Sequence, residues 1–274
     1  MQADIYLDLL EKVLTDYHRI DFVDYTPLSY GNLNWKRRMI LPLDRLLRKG
    51  DFAVCKIVKS SPEKRLVGAD WPSRADTMIG LKRLKNLRAC IIDVVKNNVP
   101  GDLIETGVWR GGATIYMRAV LKALDVHDRK VWVADSFEGL PKPDEEKYPQ
   151  DRGDTHHEQD VLRISLETVK QNFAKYDLLD DQVAFLKGWF KDTLPTAPIK
   201  ALSVLRLDGD MYESTMDGLV NLYPKLSVGG YIIVDDYGAV RGCKRAVEDF
   251  RRANGIQDEI KEVDWTCVYW KKSS

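Results

Sequence analysis

The sequence predicts an α/β protein: a doubly wound, mostly parallel sheet with an antiparallel hairpin at its C-terminal edge and a helical covering segment at its N-terminus. Three observations lead there. From residue 101 onward short apolar runs alternate with helical stretches, the pattern of a parallel sheet covered on both faces. The run from Gly101 to Gly112 is an apolar strand that ends in Glu105 and turns through Gly107 and Gly111 into a helix. Two later apolar strands end in paired acids, Asp208 with Asp210 and Asp235 with Asp236.

Taken in order, Ile5 to Leu14 opens the chain as a helix. Residues 20–75 hold apolar and basic clusters broken by Pro27, Gly31, Pro42, Gly50, Pro62 and Gly68, which suits a cover without a core of its own. The expected division is therefore 1–75 and 76–274. Helical spacing returns through Met78, Ile79, Leu81, Leu84, Leu87, Cys90 and Ile91. Strands follow up to Thr106 and over 130–135, 182–187, 201–207 and 230–234, separated by helices over 112–124, about 160–176, 214–226 and 242–254. Segments 256–263 and 265–270 are strands close enough to pair as the edge hairpin. Between Phe137 and Asp160 the chain is polar and rich in Pro and Gly, and loops of that length are commonly lids or disordered. Tyr148, His156 and His157 sit there as candidate substrate contacts, against the alternative of solvated loop residues.

At 274 residues and 44% hydrophobic the chain can bury a full core. Lys plus Arg and Asp plus Glu balance at 42 each, so no net field favours nucleic acid or an anionic membrane surface. No apolar run approaches the roughly 18 residues of a membrane span. Cys55, Cys90, Cys243 and Cys267 are scattered, and no basic-then-apolar leader precedes them, so a reduced, cytoplasmic protein without structural zinc is expected. The expected partners are a small-molecule acceptor and a second copy of the chain in a homodimer.

The glycine turn after Thr106 lets a ligand approach bare backbone beside the free N–H groups of a helix start. Its spacing disfavours a dinucleotide: three residues separate Gly107 from Gly111, and Glu105 would repel a pyrophosphate. A carboxylate there suits a cationic nucleoside such as S-adenosylmethionine, although tight turns take glycine for structural reasons too. The strand 130–135 ends in Asp135, about 30 residues after Glu105. That is the spacing of a βαβ unit, with Asp135 placed to accept from a ribose diol or, alternatively, to cap a turn. Arg110 can pair with Glu105 or with a donor carboxylate.

The paired acids fall on consecutive strands joined by one helix, so both tips belong at the carboxyl edge of the sheet. Four crowded carboxylates raise one another's pKa unless a cation neutralises them, and hard oxygen donors suit Mg²⁺. Capping the next helix explains one acid of each pair at most. A metal beside a sulfonium donor fits O-methylation of a diol or catechol, with Asp210 the candidate general base.

In order along the chain, Asp102 to Gly112, Val133 to Pro141, Gly188 to Pro195, Leu205 to Thr215 and Val234 to Tyr237 resemble the macrocin O-methyltransferase family, which includes novobiocin and mycinamicin sugar methyltransferases. The resemblance runs from about Asp70 to Trp270. It implies a class I methyltransferase (Rossmann-like) fold, S-adenosylmethionine as donor, Mg²⁺, and a deoxysugar hydroxyl on a natural product as acceptor. Carried onto matching positions, it implies Asp208, Asp235 and Asp236 as metal ligands and Asp210 as base. It also implies Glu105, Thr106, Gly107, Arg110 and Gly111 at the methionine end of the donor, Asp135 and Ser136 at the ribose, and Gly188, Trp189 and Phe190 at the adenine edge. Thr77, Met78 and Ile79 resemble a segment that closes over the donor. Trp189 and Phe190 equally suit a core. A catechol or phenol acceptor is the alternative within methyl transfer, and a nicotinamide-dependent sugar oxidoreductase the alternative outside it; the latter needs a phosphate-compatible turn.

Overall fold

The computed structural model describes residues 2–19, 24–27, 35–59, 61–70 and 73–274. Parts of the expected covering stretch 20–75, Gly31 among them, lie outside them. The N-terminal part comprises helix α1 (Gln2–Leu14), strand β1 (Asp24–Pro27), α2 (Trp35–Leu47), β2 (Cys55–Val58) and α3 (Pro62–Leu66). Then come α4 (Leu81–Lys96), β3 (Asp102–Thr106), α5 (Gly112–Ala123), β4 (Val131–Asp135), α6 (Leu166–Lys175) and β5 (Val183–Lys187). The chain finishes with α7 (Phe190–Thr193), β6 (Leu202–Leu207), α8 (Tyr212–Leu222), β7 (Leu226–Val234), α9 (Arg241–Ala253), β8 (Lys261–Glu262) and β9 (Val268–Lys271).

Seven strands form one sheet in the order β5-β4-β3-β6-β7-β9-β8. β5, β4, β3, β6 and β7 pair in parallel, whereas β9 runs antiparallel to both β7 and β8. The expected edge hairpin is present, its last strand inserted against β7. Strand residues alternate between two cores. Leu103, Val133, Val204 and Ile233 pack with α1, α4 and α5, while Ile104, Trp132, Leu205 and Ile232 pack with α8 and α9. Burial on both faces is why these strands read as unbroken apolar runs.

The differences from sequence are local. β7 starts at Leu226, ahead of the Gly229-Gly230 pair, because α8 stops at Leu222 and Pro224 carries the chain through a short 3-10 turn. α6 begins at Leu166, where the Ser165 side chain caps the Thr168 N–H. In the covering segment α2 spans Pro42, and β1 pairs antiparallel with β2; the proline and glycines there obscured any period. α1 is not a loose cover, since Leu7, Leu10 and Leu14 join the core of α4 and α5.

Candidate active site

β3, β4, β6 and β7 deliver their tips to one cavity of about 350 Å³ at the carboxyl edge of the sheet, a size that holds a small ligand. Glu105, Gly107, Asp135, Ser136, Asp208 and Asp210 stand in its wall, as do Asp235, Asp236, Trp189 and Phe190. The backbone there is tight. A Cβ on Gly107, at φ +86°, would lie 1.8 Å from the Asp208 carbonyl oxygen, so the turn needs glycine. Trp109, Phe137 and Asp210 are left-handed at φ 48°, 58° and 56°. A bulky aromatic in that region is an outlier, and Trp109 is held by its indole N–H donating to the Val161 carbonyl (2.8 Å).

Thr77, Met78 and Ile79 line the cavity. They are placed by backbone bonds, Thr77 N–H to the Leu14 carbonyl at the end of α1 (3.3 Å) and Gly112 N–H to the Asp76 carbonyl (2.9 Å).

Beneath the cavity lies a charge network that the sequence reading did not anticipate. Glu105 and Arg206 are register partners on β3 and β6, and the fully buried Arg206 binds Glu105, Asp208 (2.7 Å) and Asp235. Arg83 of α4 donates to the other Asp235 oxygen (2.5 Å), to Asp264 (2.7 Å) and to the Thr266 hydroxyl (2.5 Å). Four carboxylates, Glu105, Asp208, Asp235 and Asp264, therefore share two guanidiniums, with Asp210 and Asp236 further acids in the cavity wall. A lone arginine inside the apolar run 202–207 was the available signal, because a buried charge requires partners. Arg83 lies 152 residues from Asp235 and gave no such hint.

The surplus of acid shows in the ionisation of each group. Burial, reinforced by Asp208 and Asp235 and opposed by Arg206, pushes Glu105 up to about 8, and one of its oxygens is buried without a partner. Burial and Asp235 raise Asp208 to about 6. Burial raises Asp210 to about 7, with Asp208, Asp154 and Asp235 adding to it and His156 opposing. Asp236 rises well above the ordinary range through burial and its neighbours Asp210, Asp208 and Asp235. Asp208, Asp235 and Asp236 each present a carboxylate oxygen, all within 4.8 Å of one another. Three hard oxygen donors with uncompensated negative charge fit a divalent cation.

Asp135 does more structural work than expected. One oxygen accepts the Val108 N–H (2.8 Å) and the other the Phe137 N–H (2.7 Å), tying the glycine turn to the β4 tip. The Ser136 hydroxyl also reaches the second of these oxygens (3.4 Å). Several expected site residues lie outside the cavity wall. Arg110 stacks on Trp109 and donates to the Ser73 and Ala75 carbonyls (2.8 Å each), clamping the segment that leads to Thr77. Thr106 is buried in β3, and Gly111 packs against Val169. Gly188 turns the chain behind Trp189, its N–H donating to the Asp135 carbonyl (2.9 Å). The Tyr148 ring packs against Tyr212, tilted, at 5.9 Å between centroids, and His157 is not part of the cavity wall. His156 is in the wall, with Nδ1 donating to Asp154 (2.8 Å).

A family model described as macrocin-O-methyltransferase (TylF) matches residues 3–272. The chain belongs to this family. It is an S-adenosylmethionine-dependent O-methyltransferase of class I fold, which excludes the oxidoreductase reading. Demethyldecarbamoylnovobiocin O-methyltransferase of Streptomyces niveus is 59% identical over 212 residues, 77% of this chain and 81% of its own. 8-Demethyl-8-(2,3-dimethoxy-alpha-L-rhamnosyl)-tetracenomycin-C 4'-O-methyltransferase of Streptomyces olivaceus is 48% identical over 272 residues, 99% and 94% of the two chains. Among solved structures, the O-methyltransferase NovP superposes with a TM-score of 0.84 at 49% identity, covering 99% of this chain and all of its own. Among the described residues, no helix of this methyltransferase is long and apolar enough to cross a membrane.

Proposed function

We propose that this enzyme moves the methyl group of S-adenosylmethionine to a sugar hydroxyl of a glycosylated natural product, with Mg²⁺ at Asp208, Asp235 and Asp236. The observation that carries it is Asp210, held half-buried in a left-handed turn beside those three acids and raised to about 7. A carboxylate with that basicity is matched to taking a hydroxyl proton near neutral pH. The relative that methylates O-4' of a dimethoxyrhamnosyl group, aligned over 99% of this chain, supports a sugar rather than a catechol as acceptor.

The chain's own groups divide the work. The unpartnered Glu105 oxygen accepts from the donor's ammonium, which completes a buried acceptor. Asp135, Ser136, Trp189 and Phe190 line the cavity; in this reading the first two take the ribose and the aromatic pair offers apolar surface to the adenine. Arg206 and Arg83 hold Asp235 by both oxygens before any ion arrives, so the site is ordered in advance. A divalent cation, when bound, would neutralise the remaining acids and acidify an adjacent hydroxyl. Asp210 receives the hydroxyl proton as the oxygen bonds to the methyl carbon and the methyl–sulfur bond breaks, leaving S-adenosylhomocysteine.

The same reading includes a homodimer in a reducing cytoplasm. Ile5 and Leu9 of α1 are 66% and 59% exposed, and Met39, Leu43 and Leu46 of α2 are 68%, 53% and 64% exposed, an apolar excess that a second copy would cover. The test of the function is transfer from labelled donor to a panel of deoxysugar glycosides and catechols. Label on glycosides and none on catechols is expected; the reverse overturns the acceptor assignment.

A further inference from the structure

The helix that follows the Asp208 to Asp210 tip lacks a local cap. Met211 occupies the N-cap position of α8 and offers no side-chain hydrogen bond. The missing acceptor comes from some 60 residues upstream: Asp151, in the polar segment after Phe137, accepts the Tyr212 N–H at 2.6 Å and the Glu213 N–H at 3.1 Å. Asp151 as a whole is 4% exposed. The fold makes room for this contact, since a Cβ on Gly242 near the start of α9 would stand 2.5 Å from the same Asp151 oxygen. Tyr148 adds its ring against Tyr212. Three residues beyond Asp151, Asp154 grips His156, and His156 and Asp210 face the same cavity, each sensing the other's charge.

We propose that Asp151 is a positioning residue: by capping α8 from a distant loop it fixes Asp154 and His156 opposite Asp210, so that residues 148–160 form a standing wall of the site and not a lid that closes on binding. The geometry explains why the segment tolerates so polar a sequence. A carboxylate at a helix start satisfies two otherwise unpaired N–H groups and meets the positive end of the helix dipole, and the same contact carries an imidazole to the reaction centre. Gly242, an otherwise poor residue for a helix, is required because a Cβ there would stand against both the Asp151 carboxylate and the Tyr212 nitrogen that it caps.

The consequence for catalysis rests on Asp210 being the base; the placement does not, so it is read on the ligand-free protein without turnover. Hydrogen exchange should show residues 148–160 of the wild type protected before any ligand is added. In Asp151→Ala and in Gly242→Ala those amides, with those of 210–213, should exchange at least ~10-fold faster while β3, β4 and α5 are unchanged. The chain has four histidines, which makes the His156 ring signal assignable. Asp154 and Asp210 are the charged groups facing it, and Asp210→Asn should lower its titration midpoint. In the Asp151→Ala background the same replacement should move it by less than half as much. If Asp151→Ala fails to fold, Gly242→Ala carries both readings. An unprotected segment in the free wild type, or an equal Asp210→Asn response with and without the cap, would overturn the proposal.

Discussion

Asp210→Asn tests the proposed base through two opposite effects. Burial and the neighbouring acids raise Asp210 from 3.8 to about 7, and at 1.36 kcal/mol per unit this is a destabilisation of about 4 kcal/mol when the group is ionised. The sign is fixed. The folded state holds its proton up to about 7 while the unfolded chain releases it near 3.8, so stability is full below the lower value and falls as pH rises towards the upper one. Asparagine cannot ionise. In EDTA, urea unfolding should therefore find the variant more stable than the wild type, the gap growing from about pH 4 to about pH 7 and staying level above, with ~4 kcal/mol as its ceiling. Turnover should fall about 10²–10⁴-fold with little change in donor affinity. A stability gap that does not grow with pH would refute the ionisation argument, and a wild-type kcat would refute the assignment of the base.

Two further outcomes follow from the turns beside the donor. Gly107→Ala drives a Cβ into the Asp208 carbonyl at a φ of +86° and should cost roughly 3 kcal/mol or more in urea unfolding; an unchanged midpoint would mean that the two tips can part freely. Asp135→Ala removes the acceptor of the Val108 and Phe137 N–H groups and should weaken S-adenosylmethionine binding by about 1–3 kcal/mol in calorimetry, whereas unaltered affinity would limit Asp135 to shaping the turn.

The middle of the sheet was legible because β3, β4 and β6 are buried on both faces, so Leu202 to Leu207 or Val131 to Asp135 stand out as apolar runs whatever packs around them. The acids at the strand tips were legible for the same reason, as charges that interrupt such runs. What could not be read is the compensation. Arg83 reaches Asp235 from a helix far away in sequence, and its apolar neighbours Leu81, Leu84 and Leu87 announced only a packed face. Arg110 was placed at the donor because it sits in the glycine turn, but the stacked Trp109 and two carbonyls of the covering segment claim it. The anchor of the polar loop could not be read either, since nothing in its composition shows that Asp151 caps a helix 61 residues on.

Divalent-metal dependence is the central claim. Its most direct measurement is methyl transfer from labelled S-adenosylmethionine by exhaustively dialysed enzyme, first in excess EDTA and then with Mg²⁺ returned, in the wild type and in Asp235→Ala. Transfer should vanish in EDTA and return with Mg²⁺ in the wild type, and should not return at the same Mg²⁺ concentration in the variant; full turnover in EDTA would contradict the account.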